Sequence, residues 1–223
     1  MNDDFIIIAY GHPERYQRDI DNMQLFTNRI NRKLLRYNRE WVISTDQYKD
    51  NKTIFDHDKL NGWAAWKPLI ILDALKYNDR VLYMDANTVF RIEYIDKIES
   101  IVNSVDVLTS IYTDFKHNDY TRKECFDIMN CNYIKQQNVN QVWSGVVIAT
   151  NKSIDILNEW LYWCCVPDAV CSDESDIHHH NHRHDQSILT NLMIKHNLSP
   201  IKTNAFMDNQ NYRNDPITLK KLL

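Results

Sequence analysis

The sequence predicts an α/β fold, with a mostly parallel central sheet flanked by helices in a single domain over residues 1–223. Three observations carry this reading. Short apolar runs bounded by charge, such as Phe5-Ile6-Ile7-Ile8-Ala9, read as buried strands. Stretches with apolar residues at near-helical spacing fall between them. The two kinds alternate, which favours parallel strands joined by crossover helices.

The elements follow in order. Phe5 to Ala9 reads as a first strand, broken by Gly11-His12-Pro13. Ile20, Met23, Phe26, Ile30 and Leu34 then mark one face of an amphipathic helix. Trp41-Val42-Ile43 reads as a short second strand, and the polar residues Asp46 to Leu60 as a loop. Trp66 to Lys76 reads as a helix with Pro68 in its first turn, where no backbone N–H is needed. A strand through Val81-Leu82 up to Asp85 follows, and Thr88-Val89-Phe90 could extend a brief further one. Ile95, Ile98 and Val102 mark a helix, and Val105 to Ile111 a strand. The region Asp114 to Gln141 is mixed, with Phe126 and Met129 on one helix. Val146 to Ala149 reads as a strand, Ile154 to Cys164 as a helix, Pro167 to Arg183 as a polar loop and Ser187 to His196 as a helix. The last twenty residues are polar and read as surface chain.

Composition narrows the function. The chain has 223 residues, 43% of them hydrophobic, which suffices for one sizeable core. A net charge of -4 is no design for a basic groove, so nucleic acid is not an expected partner. No apolar run approaches the roughly 20 residues that span a bilayer, and Asp3 and Asp4 precede the first apolar run where a signal peptide would be basic. A cytoplasmic protein is expected, in the host cytoplasm if the source is viral. The chain is either whole or one domain of a longer protein. The odd set Cys125, Cys131, Cys164, Cys165 and Cys171 reads as reduced, mostly buried thiols. A zinc site built from the last three with His178-His179-His180 would have no standard ligand spacing.

The most informative stretch is Tyr83-Met84-Asp85-Ala86-Asn87. It places two oxygen-bearing side chains at the carboxyl end of a buried strand, the edge where open α/β sheets bind ligands. Strict strand alternation would point Asp85 and Asn87 the same way. Mg²⁺ and Mn²⁺ prefer such oxygen ligands; a turn closing the strand would use the same residue types. The three glycines, Gly11, Gly62 and Gly145, form neither G-x-G-x-x-G nor G-x-x-x-x-G-K. No standard phosphate-cradling loop can be built from them. A bound diphosphate would need its charge neutralised otherwise, and a cation at Asp85 and Asn87 would do so.

Two further constellations stand out. His182-Arg183-His184-Asp185-Gln186-Ser187 opens the last helix. Asp185 there is either a first-turn acid favoured by the helix dipole or a carboxylate facing a reacting centre. His184 is a ligand or diphosphate contact in the second case. Gly62-Trp63-Ala64-Ala65-Trp66-Lys67-Pro68 sets two indoles around a tight helix start, where Lys67 could reach a phosphate or lie in solvent. Gly145, in Trp143-Ser144-Gly145, permits either close ligand approach or a bulge.

Taken in order, Trp66-Lys67-Pro68, Asp85-Ala86-Asn87 and Arg183-His184-Asp185-Gln186-Ser187 resemble a nucleotide-sugar glycosyltransferase of the GT-A (Rossmann-like) fold. The likeness is to small transferase domains of bacterial polysaccharide clusters and large DNA viruses of algae, and covers nearly the whole chain. It implies a UDP-linked donor held with Mn²⁺ or Mg²⁺ by an Asp-x-Asp motif, here Asp85 and Asn87, with an amide replacing the second carboxylate. It implies that Ala9, Tyr10 and Gly11 hold the base and ribose, and that Trp66, Lys67, Asp85, Ala86 and Gln186 belong to the donor site. Asp185 and His184 would be catalytic, and Trp143, Ser144 and Gly145 would face a glycan or glycoprotein acceptor. The expected activity is hexosyl transfer to a hydroxyl. The alternatives are a non-catalytic nucleotide- or sugar-binding module and a metal-dependent phosphoesterase, which would need more clustered carboxylates.

Overall fold

The computed structural model describes residues 5–11, 17–58, 60–88, 94–131, 138–171 and 182–201. His178-His179-His180, Val89-Phe90 and the polar chain after Ile201 lie outside them. The five strands are β1 (Ile6–Tyr10), β2 (Leu34–Tyr37), β3 (Arg80–Met84), β4 (Leu108–Lys116) and β5 (Asn140–Thr150). They form one sheet in the order β2-β1-β3-β5-β4. β1 pairs in parallel with β2 and β3, whereas β5 runs antiparallel to both β3 and β4. Four strands therefore share one direction, as expected, and β5 opposes them.

Helices cover both faces. They are α1 (Gln17–Arg29), α2 (Arg39–Ile43), α3 (Asp46–Asp50), α4 (Lys52–Phe55), α5 (Leu60–Trp63), α6 (Trp66–Ala74), α7 (Ile95–Ser104), α8 (Lys123–Ile128), α9 (Ile154–Cys164), α10 (Pro167–Val170) and α11 (His184–Lys195). One face of the sheet packs Ile7, Leu82 and Ile148 against Met23 and Phe26 of α1 and Ile98 and Val102 of α7. The other packs Ile8, Tyr83 and Val147 against α6, α9 and α11. The period-2 alternation of the strands assigns residues to these faces.

Several expectations need correction. Leu34 belongs to β2, not to the first helix. α1 stops because Asn31 takes a left-handed φ of 53° and the Arg32 N–H closes on the Thr27 carbonyl, a helix stop built without glycine. Trp41-Val42-Ile43 is helical, because the Asn38 side chain accepts from the Trp41 N–H at 2.9 Å and caps α2. The Asp46–Leu60 stretch is not a plain loop: it holds α3, capped by Thr45, and α4. Asp85 lies beyond the end of β3, and Thr88 is in no strand. β4 starts at Leu108 and runs on to Lys116, and β5 starts well before Val146. Pro167 to Val170 is a short helix inside the expected polar loop. α11 begins at His184, not Ser187, and is buried nearly all round, from His184 to Met193. It packs between β5 and α9, which hides the one-sided pattern a surface helix would show.

No disulfide joins the five cysteines; Cys125 and Cys164 are buried, and the other three are half-buried. Burial pushes the Cys125 thiol up to about 12. Among the described residues no helix is long and apolar enough to cross a membrane.

Candidate functional site

The site lies where β3 ends. Asp85 is the first residue past the strand, and its N–H donates to the Gly145 carbonyl at 2.8 Å. The chain then turns, with the Thr88 N–H on the Asp85 carbonyl at 2.8 Å. The turn breaks the alternation that would have aimed Asp85 and Asn87 together. Asn87 is exposed, Ala86 is buried and Asp85 is half-buried.

Lys67 reaches the same point from α6. Gly62, Trp63 and Ala64 all take left-handed backbone angles, with φ of 89°, 54° and 59°. Such runs are costly in L-residues and cluster at functional sites. This reversal starts α6 and drives Lys67 inward, so that its side chain is only 9% exposed. The ammonium lies 3.3 Å from Asp85 Oδ1 and 3.4 Å from Asp185 Oδ2. It also donates toward the Ser144 hydroxyl at 3.2 Å and carbonyl at 3.4 Å. Burial alone would lower the Lys67 pKa, but Asp185 and Asp85 outweigh it and hold it above the ordinary lysine value.

A bulge in β5 supplies Ser144. Between Ser110 and Ile111 of β4 the partner jumps from Val147 to Trp143. The extra residues swing Ser144 and Gly145 out of the ladder. The Ser110 hydroxyl donates to the Trp143 and Val146 carbonyls at 2.7 and 2.9 Å, satisfying groups the bulge would orphan. At Gly145 a Cβ would lie 2.6 Å from Asp85 Oδ2 and 2.4 Å from the Trp143 ring, so any larger residue there displaces those side chains. Gly145 thus sits in a bulge, and the groups that approach it closely are the side chains of Asp85 and Trp143.

Asp185 opens α11. Its backbone carbonyl accepts from the buried Trp160 indole at 3.0 Å, which ties α11 to α9. Its side chain is 4% exposed. Burial pushes its carboxyl up, Lys67 and the Ser144 hydroxyl pull it back, Asp85 adds to the push, and the net shift is upward. Oδ2 has the Lys67 ammonium nearby but no hydrogen-bond partner among the described residues.

Other expected residues sit around this cluster. Tyr10 stacks on Trp66 with ring centroids 4.0 Å apart, so each ring has one face covered by the other. The Tyr10 hydroxyl is buried without a hydrogen-bond partner among the described residues, and burial pushes its pKa up to about 12. Ala9 is buried in the core, and the Gly11 N–H donates to the Tyr37 carbonyl. His184 is buried, and its Nδ1 donates to the Val170 carbonyl at 2.9 Å. Gln186 is buried and donates to Gln141 Oε1 at 2.7 Å, which ties α11 to β5. Trp143 is half-buried against the other face of the sheet.

Tyr83 was not anticipated. Its hydroxyl donates to Asp85 Oδ1 at 2.5 Å. A two-residue offset at the end of a strand was the available signal.

A divalent cation fits this set poorly. Asp85 Oδ1 already carries the Tyr83 hydroxyl and faces an ammonium, and the other expected ligand is an exposed, neutral amide. Among the described residues no three His, Cys, Asp or Glu side chains group to hold a metal ion.

No protein-family model and no curated protein matches the chain. Solved structures do resemble it. Mouse xyloside xylosyltransferase 1, in its apo form, aligns over 89% of this chain and 84% of its own with a TM-score of 0.51 and 8% identity. A glycosyltransferase involved in glycosylation of the major capsid of PBCV-1 aligns over 71% of this chain, at a TM-score of 0.41 and 10% identity. This chain spans 65% of that protein's, less than two thirds. A197 from STIV aligns over 90% of this chain and 83% of its own, with a TM-score of 0.39 and 11% identity. At such identities the likeness to the xylosyltransferase speaks to architecture: this chain has an α/β fold of the GT-A type, with helices on both faces of a five-stranded sheet.

Proposed function

We propose that this protein is a glycosyltransferase, moving a sugar from a nucleoside diphosphate sugar, UDP-linked in the first instance, to a hydroxyl of a glycan or glycoprotein. The observation that carries this reading is one buried ammonium between two carboxylates, at the carboxyl edge of β3 where open α/β sheets bind ligands. The fold shared with a xylosyltransferase supports it.

In this reading the diphosphate lies at the Asp85 edge, the most open part of the cluster at 29% side-chain exposure. The bond from the sugar carbon to the phosphate oxygen breaks, and its electron pair leaves with the phosphate. The acceptor oxygen forms the new bond and gives up its proton. Asp185, with its raised pKa and an Oδ2 held only by the ion pair to Lys67, is the carboxylate suited to take that proton if the sugar centre inverts. If the centre is retained, the same carboxylate shields an oxocarbenium-like centre. Because Asp185 is buried, a substrate reaches it only after the side chains that cover it move.

A nucleotide-binding module without catalysis is the second reading. It is favoured by the burial of Asp185 and by His184, whose ring is tied to Val170. One experiment separates the two. A panel of nucleoside diphosphate sugars is incubated with the protein, with and without glycan acceptors, and release of the nucleoside diphosphate is followed. Release from one donor, accelerated by an acceptor, is expected; donor binding without release would leave the module.

A further inference from the structure

We propose that Lys67 is itself the cation of this site, and that a nucleoside diphosphate binds against its ammonium without a divalent metal. The inference rests on reading the site as a nucleoside diphosphate pocket.

Charge is the first argument. Asp85 and Asp185 flank Lys67 at 3.3 and 3.4 Å, so a positive charge already occupies the position between the two carboxylates. The second ligand that an Asp-x-Asp motif would offer a metal is the neutral, exposed Asn87. A dication on Asp85 would lie beside the ammonium that faces the same carboxylate. Like charges repel most where water is excluded.

Geometry is the second. The Lys67 ammonium has three protons and four acceptors, namely Asp85, Asp185 and both oxygens of Ser144, all between 3.2 and 3.4 Å away. Charge-assisted bonds to oxygen are usually about 2.7–2.9 Å long. The surface pairs Lys49–Asp46 and Lys123–Asp127 reach that length, at 2.7 Å each. Lys67 is thus centred among its partners rather than bonded closely to one. A phosphate oxygen arriving past Asp85 offers it a shorter bond, while the ion pair to the buried Asp185 holds the ammonium at the site.

The backbone supplies the third argument. Gly62 is taken up by packing, since a Cβ there would lie 2.7 Å from the Phe55 Cα. Gly145 is taken up by the approach to Asp85 and Trp143. Neither is left to form a loop of amides around a phosphate, so among the described residues of this cluster the Lys67 side chain is the group that offers a phosphate positive charge.

The test is a melting-temperature series on the wild-type protein with UDP, GDP, CDP and ADP, in EDTA and separately in Mn²⁺. A ligand that binds only the folded state raises the melting temperature by mass action. The expected result is that the diphosphate that stabilises the protein does so equally in both arms. Lys67→Met should weaken its binding in EDTA by about tenfold or more, as losing a charged hydrogen bond does. The double variant Lys67→Met/Asp185→Asn removes one charge of each sign and should show the same loss, which keeps the test open if the single variant does not fold. Stabilisation in Mn²⁺ alone would overturn the role of Lys67 and leave the nucleotide reading standing. Binding retained in EDTA by a folded variant would do the same. No stabilisation in either arm would remove both.

Discussion

Gly145 lies so close to Asp85 that a methyl group on its α-carbon would sit 2.6 Å from the carboxylate Oδ2. The bulge that Ser110 closes brings the two together, and the Asp85 N–H bond to the Gly145 carbonyl fixes the distance. Gly145→Ala should therefore push Asp85 and Trp143 aside. Overpacking of this kind costs about 1–3 kcal/mol. Urea denaturation should show that loss, and nucleotide stabilisation of the melting temperature should shrink with it. An unchanged nucleotide response would separate the position of Asp85 from ligand binding.

Asp185→Asn keeps the shape of the side chain and removes its charge. If Asp185 takes the acceptor proton, turnover should fall by about a hundredfold or more, in the range of general-base losses, while donor affinity changes by less than about threefold. Turnover and donor Kd measured on one preparation decide it. An equal loss in both would make Asp185 a holder of Lys67 instead.

Asn87 is exposed at the turn, so a carboxylate there need not be buried. Asn87→Asp should leave nucleotide stabilisation independent of Mn²⁺, because the turn after Met84 does not aim position 87 beside Asp85. A melting-temperature comparison with and without Mn²⁺ reads this directly. A Mn²⁺-dependent gain in the variant alone would show that the turn does bring position 87 to the ligand.

Gln186 tests a donor-site expectation against a structural one. Its amide donates to Gln141, which in turn donates to Ser187 Oγ, Thr121 Oγ1 and the Tyr120 carbonyl. Gln186→Leu leaves the Gln141 oxygen unmatched in the core. The expected cost is about 1–3 kcal/mol in urea denaturation, with nucleotide affinity within about twofold. A large affinity loss at unchanged stability would return Gln186 to the donor site.

His117 governs acid stability. It is buried, donates from Nε2 to Asn191 and accepts at Nδ1 from Thr121, so both nitrogens are served only in the neutral ring. Burial lowers its pKa from 6.5 to about 4, against a smaller upward pull from Asn191. Between these values the unfolded chain binds the proton and the folded one refuses it, so stability is present above pH 6.5 and is lost as the pH falls toward 4. The contribution is about 3 kcal/mol. Urea denaturation across that window should show a slope that flattens by about that amount in His117→Gln. An unchanged slope would assign the acid sensitivity to other groups.

Much of this protein was legible in the chain. Alternating apolar runs and helical periodicity located four of the five strands and the longer helices, because both signals lie among near neighbours. Glycine scarcity excluded the usual phosphate loops. The order of Trp66-Lys67-Pro68, Asp85-Ala86-Asn87 and His184-Asp185 singled out Lys67, Asp85 and Asp185, which the fold brings together. Several local signals were misread. Asn38 capping turned an apparent strand at Trp41 into a helix, and the turn after Met84 ended the alternation on which an Asp85–Asn87 clamp depended.

Only the tertiary structure decided what the site contains. Lys67 meets Asp85 and Asp185 across α6, β3 and α11, and Ser144 joins them through a bulge that Ser110 closes from another strand. Ion pairs and bulges depend on strand register and helix placement, which the whole core sets. Periodicity reports which residues are buried; it carries no term for which buried charge will find which partner.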